Sequence, residues 1–121
     1  MISPDIQRAF FVSAGVMILD YIARAMSWYW TVPWFDTIMH TLGGFLVVML
    51  AVPFLKRVGM TLSVQTLVLS VIIVGVGWEV FELLNNITGV PPEQYWSDTI
   101  VDLIADLLGG LLAIAYLKTQ R

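Results

Sequence analysis

Residues 36–46 read DTIMHTLGGFL, and residues 102–112 read DLIADLLGGLL. Each opens on an acid, places His40 or Asp106 four residues on, and reaches a Gly-Gly pair. Aligned on the glycines, the stretches are identical at Asp36/Asp102, Ile38/Ile104, Leu42/Leu108, Gly43/Gly109, Gly44/Gly110 and Leu46/Leu112. Residues four apart share one helix face, so each stretch predicts a helix with a polar stripe near its start. The glycines one turn further on predict a close approach of helix backbones beneath that stripe.

The surrounding chain decides what kind of helices these are. Of 121 residues, 59% are hydrophobic and only 12% are charged, and mean hydropathy is +0.85. A soluble fold of this length cannot hide so much apolar surface. Four runs have the roughly 20-residue length that crosses a bilayer, at about 7–28, 35–55, 62–87 and 97–117. Backbone groups in lipid find partners only within a helix, so the expected fold is all-α: an integral membrane four-helix bundle in one domain. The aligned stretches open its second and fourth helices. The chain then reads as two helical hairpins in a parallel, pseudo-twofold repeat.

"ARA" at residues 23–25 follows an apolar run and has the form of a signal-peptide cleavage site. Asp20 and Arg24 break that run, however, and the expectation is a retained helix. Arg8, Lys56, Arg57, Lys118 and Arg121 fall at the N-terminus, the second connection and the C-terminus. Four spans put these three regions on one side, so both termini are expected in the cytoplasm. The opposite side carries Trp28, Tyr29, Trp30, Trp34, Tyr95 and Trp96, which read as an interfacial aromatic belt. Net charge is −3 and no basic run points to nucleic acid; without cysteine, thiolate chemistry does not arise.

In this topology every helix brings its acids to the outer half of the bilayer. The pairs Asp20/Arg24, Asp36/His40, Glu79/Glu82 and Asp102/Asp106 each occupy one helix face. Lipid penalises such groups, so the stripes are expected to face inward and form one polar chamber. Confined carboxylates cannot all remain ionised unless a cation compensates them. The expected site is a divalent cation, Mg, Mn, Ca or Zn, held among Asp36, His40, Glu79, Glu82, Asp102 and Asp106. Glu79 and Glu82 are candidate general bases. Asp20, Arg24 and Asp98 are supporting residues, with Asp20/Arg24 equally readable as an ion pair and Asp98 as a helix cap.

Asp36-x3-His40 opening one helix, Glu79-x2-Glu82 in the next and DTIVDLIADLLGG (98–110) opening the last resemble VanZ-like bacterial membrane proteins, in particular the YjdF-type branch. The resemblance implies a multi-pass inner-membrane protein with polar groups inside its helices. It places the family's acid-to-histidine positions on Asp36 and His40, and its late acidic positions on Asp102 and Asp106. Some relatives are linked to glycopeptide resistance. Glu82 and Asp106 stand where many such sequences carry Gln and Asn, which strengthens the cation reading and weakens a shared resistance role.

Three functions fit these features: a metal-dependent hydrolase of a lipid or envelope substrate, a cation or proton transporter acting as a homo-oligomer, and a non-catalytic assembly or sensor module. The inner half of the helices carries no acids, which argues against a conducting path within one chain.

Overall fold

The computed structural model describes residues 1–120; Arg121, counted above among the basic residues, lies outside them. Helix α1 spans Pro4–Ala25, α2 Trp28–Thr31, α3 Phe35–Arg57, α4 Val64–Asn85 and α5 Tyr95–Thr119, with a 3-10 turn at Pro92–Gln94. No strand occurs among the described residues. The four long helices are each apolar and long enough to cross a membrane.

Local chemistry sets the helix ends. Ser3 Oγ accepts from the Ile6 N–H ahead of Pro4, which needs no donor partner in the first turn. Ser63 and Thr66 cap α4 reciprocally: each side chain accepts the other's backbone N–H, at 3.1 and 3.0 Å. Asn86 closes α4 in the left-handed region, φ 54°. Helix α1 stops at Ala25 rather than near residue 28, because Ser27 turns left-handed (φ 58°) and redirects the chain into the short α2.

Helices α3 and α5 form the centre of the bundle and run side by side in the same direction. Helix α1 packs on α3, while α4 packs on both α5 and α3. An apolar cluster of Val48, Ala51, Val52 and Leu55 from α3, Leu67 and Val71 from α4, and Ala113 and Ile114 from α5 fills the end that carries Lys56 and Lys118. The acids of α3, α4 and α5 lie at the other end. Phe10, Phe11, Met17, Leu69, Ile73, Leu84 and Ile104 point outward and are exposed. Such a surface is stable only against lipid tails.

The quoted stretches meet at the α3–α5 crossing. A Cβ on Gly44 would run into the backbone carbonyl of Asp106, and a Cβ on Gly109 into that of Thr41. Gly44 thus faces the carbonyl three residues before Gly109, and Gly109 the carbonyl three residues before Gly44, so only hydrogen fits between the backbones. Gly44→Ala and Gly109→Ala should each destabilise the protein by about 1–3 kcal/mol, because the obstructing atoms are backbone and cannot turn aside. Gly77 faces open space, so Gly77→Ala should shift stability by less than about 1 kcal/mol. Thermal unfolding in detergent separates the two classes; equal effects at all three glycines would contradict the close crossing.

Candidate functional site

The site is built on the first turns of α3 and α5 and the last turns of α4. Phe35 begins α3, so Asp36 sits in its first turn and His40 one turn below on the same face. On α5, Thr99, Asp102 and Asp106 are three and four residues apart, and all three are buried against α3 and α4. On α4, Leu67, Val71, Gly75 and Glu79 recur every four residues and are its buried face.

His40 is held between two carboxylates of α5. Its Nδ1 lies 3.2 Å from Asp106 Oδ1, and its Nε2 lies 3.7 Å from Asp102 Oδ2. The three side chains are almost wholly buried: His40 is 7% exposed, Asp102 3% and Asp106 9%. The Nδ1 contact has hydrogen-bond length, whereas the Nε2 contact is too long for one. The Asp102 side of the imidazole is therefore the loosely engaged side. Asp36, His40 and Asp102 each offer one ligand atom, and these atoms all lie within 4.8 Å of one another.

Glycines shape the seat of Asp106. A Cβ on Gly75 of α4 would stand 2.6 Å from Asp106 Oδ2, and one on Gly43 of α3 would stand 3.8 Å from Oδ1. The carboxyl group thus occupies a slot that α4 leaves open by carrying Gly75, whereas a Cβ on Gly43 would meet it at ordinary contact distance. Oδ2 is buried with no hydrogen-bond partner among the described residues, and so is Glu79 Oε1. The other oxygen of Glu79, Oε2, accepts from Thr99 Oγ1 at 2.7 Å. Above it, Tyr95 Oη donates to the Glu79 carbonyl at 3.4 Å. A buried carboxylate oxygen without a donor is costly, so two such atoms at one end of the bundle mark a place where the protein's own groups leave acceptor capacity unfilled.

The remaining candidates lie outside this group. Glu82 is half-buried and accepts from Trp78 Nε1 on its own helix at 2.9 Å. Asp98 is half-buried and has no side-chain bond among the described residues. Asp20 makes a closed set with Arg24 (2.8 Å) and Tyr29 Oη (2.7 Å), and the Arg24 guanidinium stands 5.3 Å from the Tyr29 ring centroid. Burial and the bond to Asp20 hold the Tyr29 phenol above its ordinary range. The stripe of α1 is thus satisfied within its own hairpin turn, and the single chamber expected from four inward stripes is a three-helix site instead. Trp28 and Tyr29 pack edge-on against Phe35, with centroids 5.5 and 5.0 Å away, and roof the start of α3.

Thr99, Tyr95, Gly75 and Tyr29 did not stand out as site residues from sequence. Thr99 precedes Asp102 by three and Asp106 by seven, so its face was readable. Gly75 precedes Glu79 by four in the same way. Tyr29 lies beyond the turn that ends α1, where the spacing of α1 carries no information.

The family described as "Predicted membrane protein (DUF2238)" matches residues 7–121, nearly the whole chain. The chain belongs to this family. With its four apolar spans, this DUF2238 member is a small membrane protein in contact with the lipid bilayer. Nothing matches it among curated proteins or among solved structures.

Proposed function

We propose that the protein binds a divalent cation at Asp36, His40 and Asp102, and that the bound cation serves hydrolysis of a lipid or envelope substrate. The observation that carries the reading is the grouping of one imidazole and two carboxylates contributed by two helices, with His40 and Asp102 buried and Asp36 half-buried. Metal–ligand bonds of about 2.0–2.5 Å bring ligand atoms on opposite sides of an ion to about 4–5 Å apart, so the grouping suits an ion after small side-chain adjustment. The imidazole favours Zn or another transition metal, whereas the carboxylates by themselves suit Mg, Mn or Ca.

Under this reading His40 uses Nε2 as the ligand atom, and its Nδ1–H donates to Asp106. Asp106 then orients the imidazole rather than ligating, an arrangement common behind metal-bound histidine. Glu79, half satisfied by Thr99, is the candidate general base, and Glu82 stands further out toward the aromatic rim. The cation would supply acidity to a bound water. The likeness to VanZ-like and YjdF-type proteins, the parallel repeat, homo-oligomer formation and a bacterial inner-membrane location with both termini inside belong to the same proposal.

One observation favours a second reading. His40 already contacts Asp106 and Asp102, so the cluster also suits a module whose polar contacts only tie α3 to α5. Transport fits less well, because the apolar cluster of α3, α4 and α5 supplies no ligand across the other half of the bundle.

Proteoliposomes containing the protein are expected to show no protein-dependent flux of Mg, Mn, Ca, Zn or protons. Outer-leaflet lipids and lipid-linked carriers supplied with metal should reveal a substrate whose turnover is lost in Glu79→Gln. A saturable flux abolished by Glu79→Gln would replace hydrolysis by transport. For orientation, a cysteine at Glu93 should label from outside and one at Met60 from inside; labelling of both from one side would end the four-span topology.

A further inference from the structure

The basic end of the bundle holds a cleft with a volume of about 230 Å³, far from the acidic site. Arg8 from α1, Lys56 from α3 and Lys118 from α5 surround it, and Val52 and Ile114 of the apolar cluster lie among its walls. Among the described residues Asp5 is the one acid lining it, and it pairs with both Lys56 and Arg8, the latter at 3.9 Å. Lys118 has no carboxylate partner among the described residues. Among the described residues, three positive charges from three helices therefore face one negative charge.

Helix dipoles explain part of this. Lys56 and Lys118 lie in the last turns of α3 and α5, where cations are favourable. Arg8 does not follow that rule. It sits past the first turn of α1, where the dipole no longer favours a cation, and still lines the same cleft. Ser63 and Val64 at the start of α4 also line it, adding the positive end of a 22-residue helix. The cleft opens where the spans end, at the level of lipid headgroups.

We propose that this cleft binds an anionic phospholipid, its phosphate held by Arg8, Lys56 and Lys118 and its apolar part lying against the walls that include Val52 and Ile114. Charge complementarity identifies the occupant. A zwitterionic headgroup carries its own cation and gains less from a site of net positive charge, and basic clefts between spanning helices are a known setting for anionic headgroups. Asp5 competes with the phosphate for Lys56 and Arg8 and so tunes the affinity.

The test is a titration of the full chain in nonionic detergent with short-chain phosphatidylglycerol, short-chain phosphatidylcholine or inorganic phosphate, read from the thermal unfolding midpoint. Phosphatidylglycerol should stabilise the protein saturably at lower concentration than phosphatidylcholine, and inorganic phosphate should not reproduce the effect. Arg8→Gln and Lys118→Gln should each weaken phosphatidylglycerol about fivefold, and the double variant roughly 25-fold. Asp5→Asn, which removes the competing acid, should tighten it. Equal response to both lipids, reproduction by inorganic phosphate, or unchanged affinity in the Arg8/Lys118 double variant would overturn the proposal.

Discussion

Replacement of His40 by alanine is expected to destabilise the cation-free protein by about 3–5 kcal/mol, the largest single-residue effect in the molecule. His40 is the group that stands between Asp102 and Asp106, and both carboxylates are more than nine-tenths buried. Its removal leaves two acids facing each other with no positive group between them, and a broken buried pair costs about that much. A double-variant cycle isolates the contact. His40→Ala with Asp106→Asn should lose clearly less than the sum of the single losses, because the second change removes the charge that the first one orphaned. With a divalent cation present, the wild type gains stability that His40→Ala cannot share, so the difference should widen. Additive losses, unchanged by metal, would mean that the three groups do not act together.

The second large effect separates ligands from their supports. Asp102→Asn and Asp36→Asn each remove a charged ligand from the proposed trio and should abolish measurable cation binding in calorimetric titration. Asp106→Asn should weaken it only about 10–100-fold, the usual consequence of losing the group that orients a metal-bound histidine. Gly75→Ala is expected to resemble Asp106→Asn, since its Cβ would crowd Asp106 Oδ2 at 2.6 Å. Loss of binding in Asp106→Asn as complete as in Asp102→Asn would make Asp106 a ligand as well.

The spanning helices were legible because an apolar run of bilayer length admits one backbone solution. The pairing of Asp36 with His40 and of Asp102 with Asp106 was legible for a similar reason: four-residue spacing fixes a shared face wherever the helix begins. What spacing does not carry is which faces meet. Asp20 and Arg24 obey the same rule as the site residues, yet Ser27 turns the chain so that Tyr29 closes on Asp20. Glu82 shares a stripe with Glu79, but Trp78 on its own helix takes its carboxylate, while Glu79 alone reaches Thr99 of α5. The double role of the glycines was half visible. Gly44 and Gly109 were readable as a crossing, but the use of Gly75 as room for the Asp106 carboxyl depends on the rotation of α4 against α5, which no local pattern encodes.

The central claim is that Asp36, His40 and Asp102 together hold a divalent cation. An anomalous-scattering map of the protein loaded with manganese or zinc tests it most directly. The expected result is one peak within bonding distance of His40 Nε2 and of carboxylate oxygens of Asp36 and Asp102, absent in Asp102→Asn. A map from metal-saturated protein with no peak there, and with His40 still lying between Asp102 and Asp106, would contradict it.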